Sequence, residues 1–92
     1  MIYKVKTAPR FGMEFGKLDR YTMKMIKVWI EKNLVNCEDP RIHGKALTAE
    51  QNEDRQDRWQ YRIGDYRLIC RIGDGELVLL ALAVGQRREG CE

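Results

Sequence analysis

Apolar residues recur with two different periods along this chain, and the change of period divides it into a helical first half and a stranded last third. Residues 2–7 predict a short strand, with Tyr3, Val5 and Thr7 on one face and Ile2, Lys4 and Lys6 on the other. Pro9 ends that strand and suits the first turn of a helix. Over residues 10–18, Phe11, Phe15 and Leu18 fall on one helical stripe, weakened by Gly12 and Gly16 at about 1 kcal/mol each relative to alanine. Asp19 is placed to cap a longer helix over 20–34, in which Met23, Ile26, Ile30 and Leu34 form a stripe that Met25 and Trp29 widen. Helices joined this tightly predict an antiparallel hairpin. Residues 36–40 end it at Pro40, and 43–57, including EQNEDRQD, have no apolar periodicity and predict an exposed loop.

From residue 58 the period becomes two. Strands are predicted at 58–63, 66–72 and 76–84, joined by two-residue turns at Gly64-Asp65 and Asp74-Gly75. In the middle strand Tyr66, Leu68, Cys70 and Ile72 face one way, and Arg67, Ile69 and Arg71 the other. Residues 77–84 are apolar on both faces, as suits a central strand. The resulting class is α+β: an N-terminal strand and a helical hairpin packed on one face of a curled antiparallel β-sheet.

At 92 residues the chain has room for one core, so a single domain over 1–92 is expected. Three cysteines, at 37, 70 and 91, with no CxxC pair, argue against a disulfide scaffold or zinc site and for a reducing compartment. No signal peptide opens the sequence, and no apolar run approaches the roughly 18 residues of a membrane span, so a cytoplasmic location is expected. No metal-ligand spacing occurs, and GDG at 73–75 is a hairpin turn rather than a nucleotide loop, so neither metal nor cofactor is expected.

The net charge of +3 says little about partners, but its distribution does. Residues 58–71 hold four arginines and no lysine, and arginine offers a permanently charged planar fork suited to phosphate. Arg67 projects from the non-core face of its strand, and Arg58, Gln60 and Arg62 share the outward face of the strand before it. With Arg87 they are expected to form a basic concavity that attracts RNA by counterion release. Lys45, beside the lone histidine His43, is a candidate phosphate contact.

YRIGDYRLIC, a short acidic turn, and an aliphatic strand ending in VGQRRE closely resemble the RelE/ParE superfamily of bacterial type II toxins, with the RelE-like branch the nearer. PRIHGKAL at 40–47 and the helix KLDRYTMKMIKVWIEKN extend the resemblance over most of the chain. It implies a small mRNA interferase acting on ribosome-bound message and neutralised by a cognate antitoxin. The implied reaction is attack of an RNA 2′-hydroxyl on its adjacent phosphate. Arg67 and Arg87 match catalytic positions of that branch, while Arg58, Gln60, Arg62, Lys45 and Gln86 are expected to contact RNA. Relatives commonly carry a basic residue at the position of Gln60, a histidine at that of Gln86 and a tyrosine at that of Cys91. Arginines are poor bases, and glutamine cannot transfer a proton near neutral pH. A Cys91 thiolate could in principle act as the base, and His43 and Lys45 are the other groups that could compensate. Two alternatives share the fold: a ParE-like inhibitor of DNA gyrase, and a degenerate member that binds antitoxin with weak or lost nuclease activity.

Overall fold

The most apolar run of the chain becomes an interior strand of a five-stranded sheet in a computed structural model, which describes residues 2–46 and 58–86. The elements are β1 (Lys4–Thr7), α1 (Pro9–Gly16), α2 (Arg20–Asn33), a 3₁₀ turn (Pro40–Ile42), β2 (Lys45–Ala46), β3 (Arg58–Ile63), β4 (Tyr66–Gly73) and β5 (Val78–Gln86). Their order across the sheet is β1-β5-β4-β3-β2.

The α+β architecture and the antiparallel β3-β4-β5 meander follow the sequence expectation, but the sheet is mixed because β1 runs parallel to β5. The short link from β1 to α1 explains this direction. The Ala8 amide donates to the Ala81 carbonyl, and α1 then continues along the second half of β5, where a Glu14 carboxylate oxygen accepts from the Val84 amide at 2.8 Å. An antiparallel β1 would carry α1 away from that half of β5.

Four local expectations are corrected. The β4–β5 connection is a four-residue turn, since Gly73 pairs with Val78. Leu77 adopts φ 56° there because its carbonyl is drawn to the Lys4 amide and its side chain packs on the core. On α2 the buried stripe is rotated: Thr22 and Ile26 are buried, with Met25, Trp29 and Ile30 against the core, whereas Met23 lies outside the core. Asp19 occupies the N-cap position with extended backbone but makes no side-chain capping bond. A short strand, β2, forms within the stretch expected to be loop, pairing Lys45 with Gln60 and Ala46 with Trp59.

The core lies between the helices and one sheet face. Ile26 and Leu34 meet Tyr61, Leu68 and Leu79, all fully buried, and each such aliphatic side chain contributes roughly 1.5–3 kcal/mol. Phe11 and Phe15 stack at 5.4 Å on α1. Cys70 sits in this core, where burial pushes its thiol up to about 12. The Tyr61 hydroxyl donates to the Pro40 carbonyl at 2.7 Å, pinning the 3₁₀ turn onto β3. No helix among the described residues is long and apolar enough to cross a membrane.

Candidate nucleic-acid interface

Pairing register determines which side chains share the sheet face opposite the helices. Arg62 pairs with Arg67, Gln60 with Ile69, and Arg58 with Arg71 across β3 and β4. Continuing the same rows, Lys45 joins Gln60 from β2, Gly85 joins Arg67 from β5, and Leu80 and then Lys6 extend the row of Arg71. Among the described residues no strand carries an aspartate or glutamate; those side chains lie in the helices, turns and loops. Like charges directly opposite across strands oppose pairing.

The expected contacts Arg58, Gln60, Arg62, Arg67 and Lys45 therefore fall on one face. Arg67 is half-buried, and its Nη1 donates to Gln60 Oε1 at 3.4 Å, a long bond through which a neutral amide orients the guanidinium. Arg58 is half-buried, and its Nε is enclosed with no hydrogen-bond acceptor among the described residues. Lys45 is carried onto the face by the preceding loop, which is fastened at several points. The Trp59 Nε1 donates to the His43 carbonyl at 2.6 Å, and Arg41 grips Asp74 through two bonds of 3.1 Å while lying over the Trp59 ring. Tyr3 also donates to Asp74, and the Arg41 and Tyr3 hydrogen bonds hold that carboxyl below its usual range. Gly44, at φ +73°, presses against the Gln60 carbonyl oxygen and the Tyr61 and Trp59 rings, so a Cβ there would overlap its neighbours.

Gln86 and His43 do not join this face. Gln86 pairs with Tyr66, on the parity of the helix-covered face, and Gly85 is the residue opposite Arg67. The cause is a bulge: Ile69 pairs with Ala83 but Cys70 pairs with Ala81, so Leu82 is the extra residue and inverts the alternation beyond it. His43 is half-buried with its ring 6.0 Å from that of Trp29, in the aromatic cluster with Tyr61 on the helix side. Arg87 and Cys91 lie outside the described residues. Sequence reasoning assigned no role to Arg71, Lys6 or Gly44. The parity that selected Arg67 also selects Arg71, whereas Lys6 enters only through the parallel register of β1, and Gly44 only through the approach of its loop to β3.

Chemically, the described face supplies cationic forks and an amide, which can bind a phosphate and stabilise negative charge that develops on it. Among the described residues no group of three His, Cys, Asp or Glu side chains could hold a metal ion.

Residues 5–90 match the family model for the ParE toxin of type II toxin–antitoxin systems, parDE. The fold resembles the RelBE2 toxin–antitoxin complex of Mycobacterium tuberculosis, at 24% identity and TM-score 0.79, covering 95% of this chain and 93% of that one. The intact E. coli RelBE toxin–antitoxin complex matches at 23% identity and TM-score 0.70, covering 91% and 95%. The RelE–RelB complex of the archaeon Pyrococcus horikoshii matches at 18% identity and TM-score 0.70 over 100% of both chains. A search of the curated proteins finds no significant match. Its two helices on a five-stranded mixed sheet are thus those of the RelE toxin structures, and the match over residues 5–90 places the chain in the RelE/ParE superfamily of type II toxins.

Proposed function

We propose that this toxin is an endoribonuclease that cleaves messenger RNA, on the ribosome, and is neutralised by a cognate antitoxin. The observation that carries the reading is the sheet face, without strand carboxylates among the described residues, on which Arg67, oriented by Gln60, stands opposite Arg62 with Lys45 in the adjoining row. The 2′-hydroxyl attacks the adjacent phosphorus, the P–O5′ bond breaks, and the products are a 2′,3′-cyclic phosphate and a 5′-hydroxyl. Arg67 and Arg62 stabilise the extra negative charge of the phosphorane through short charged hydrogen bonds. Gln60 holds Arg67 and takes no proton. Proton removal from the 2′-hydroxyl is assigned to Cys91, Arg87 is assigned to the charge on the departing O5′, and solvent water gives that oxygen the proton of the 5′-hydroxyl product. A site this poor in acid and base groups gains most from an RNA strand already held in line for attack, and the ribosome supplies that alignment. The antitoxin assignment is supported by similar structures that are themselves toxin–antitoxin complexes.

Induction followed by mapping of message 5′ ends in a translating extract tests this reading. New 5′-hydroxyl ends that vanish with Arg67→Gln are expected; growth arrest with intact message would overturn it. The family-model match to ParE favours one second reading, inhibition of DNA gyrase. Its signature is accumulated gyrase-cleaved DNA with intact message. In the third reading, loss of proton-transfer groups at Gln60, Gln86 and Cys91 leaves an antitoxin-binding protein without activity. Toxicity that arises only in Gln60→Arg, Gln86→His, Cys91→Tyr protein would identify it.

A further inference from the structure

Gly85 stands on β5 directly opposite Arg67, and the row of the site face that starts at Arg62 on β3 ends at it. Glycine is an unfavourable choice inside a strand, because it loses the most backbone freedom on folding and has no side chain to pack. A left-handed backbone, a bulge or a crowded neighbour would each require it. None of these applies to Gly85. Its φ is not positive, unlike those of Gly44 and Gly64. The bulge lies at Leu82, and Val84, Gly85 and Gln86 pair in unbroken register with Leu68, Arg67 and Tyr66. A Cβ on Gly85 would meet no atom within 4 Å among the described residues. The cause that is left is close approach of a ligand to the backbone. Gly12, Gly16 and Gly75 have the same free space, but they lie outside the strands and face no cation across a strand pair. Cβ atoms directly opposite in an antiparallel pair are about 4.5–5.5 Å apart, so any side chain at position 85 would run alongside that of Arg67. Gln60 meets Arg67 from the β3 side, and Gly85 is the neighbour on the β5 side. Because β1 ends opposite Ala81, no strand among the described residues lies beyond Gly85, and the space is open at the side of the sheet.

We propose that Gly85 is the entry side of the Arg67 site: the space above its backbone admits the sugar–phosphate chain of the RNA, and the absence of a side chain lets the scissile phosphate reach the Arg67 fork. Gly85 is thus a residue that determines access for the substrate. The proposal rests on the RNA-cleaving reading of the same face. Gly85 is exposed and its φ is not one that L side chains avoid, so a larger residue fills the space without disturbing the core.

Gly85→Ala, Gly85→Val and the control Gly12→Ala, each in the full chain, are compared by urea unfolding and by cleavage of message in a translating extract. All three should unfold at or above the midpoint of the unaltered protein, since replacing glycine at an unstrained position restricts the unfolded chain. Cleavage should fall about tenfold with alanine at position 85 and about a hundredfold with valine, and should not change in Gly12→Ala. Gly85→Val added to Arg67→Gln should cost little beyond Arg67→Gln alone, because access to a fork that has been removed no longer limits the rate. Full cleavage by folded Gly85→Val protein overturns the proposal and leaves the cleavage reading intact. So does a loss of activity matched by a lowered unfolding midpoint in both Gly85 variants, which would make the glycine structural. Message left intact by the unaltered protein overturns the RNA reading and this proposal together.

Discussion

Arg67 donates to the neutral amide oxygen of Gln60 at 3.4 Å, a bond that sets the direction of the guanidinium fork and takes none of its charge. Arg67→Gln should lower the rate of message cleavage by about 10²- to 10³-fold, as removal of one charge-stabilising donor does, with much less effect on antitoxin binding. Arg67→Lys keeps the charge but loses the fork, and should fall between the two in a single-turnover assay. Gly44 makes the complementary argument for position. Its φ of +73° and the closeness of the Gln60 carbonyl leave no space for a side chain, so Gly44→Ala should cost at least about 1–3 kcal/mol in urea unfolding and displace Lys45 from its register. If the Cys91 thiolate is the base, Cys91→Ser should lower the single-turnover cleavage rate while leaving antitoxin binding unchanged.

At the level of elements, the contact between α1 and β5 links helix placement to the site face. Glu14 reaches the Val84 amide just past the bulge that leaves Leu82 unpaired with β4. Burial opposes the charge on Glu14, but hydrogen bonds from Arg10 and the Val84 amide outweigh it and hold the carboxyl below its ordinary range. Glu14→Ala leaves that amide without its acceptor, and a loss of about 1–3 kcal/mol in denaturant unfolding is expected, with faster hydrogen exchange at Val84. Deleting Leu82 removes the bulge yet keeps Val84 opposite Leu68 and Gln86 opposite Tyr66. Cooperative unfolding, read by circular dichroism, should therefore persist. The meander, its Gly64-Asp65 turn and the cysteine in its core were legible from alternation alone. The bulge was not, because an extra residue in an apolar run such as LLALAV changes no local pattern.

Across the whole molecule, Asp74 ties the start of β1, the 3₁₀ turn and the β4–β5 turn together through Tyr3 and Arg41. Its folded pKa is lowered from 3.8 by hydrogen bonds from Arg41 and Tyr3. The stabilisation is therefore complete above the ordinary carboxyl value and is lost as pH falls through the lower folded value. Asp74→Asn should narrow the stability difference between neutral pH and pH 3 in thermal unfolding, and an unchanged pH dependence would show that the network adds nothing. Because the same network fastens the loop that carries Lys45, the variant should also weaken RNA binding modestly at neutral pH.

The sequence by itself determined the class of fold, the helical hairpin, the three-strand meander and the outward parity of Arg58, Gln60, Arg62 and Arg67. These depend on periodicities of two and 3.6, which are properties of the local backbone. Only tertiary structure decided that β1 runs parallel to β5 and brings Lys6 into the row of Arg71, that His43 turns into an aromatic cluster, and that Gln86 leaves the face of Arg67. Each of those outcomes depends on contacts between residues distant in the chain, where register, bulge and loop approach are set by packing rather than by local preference.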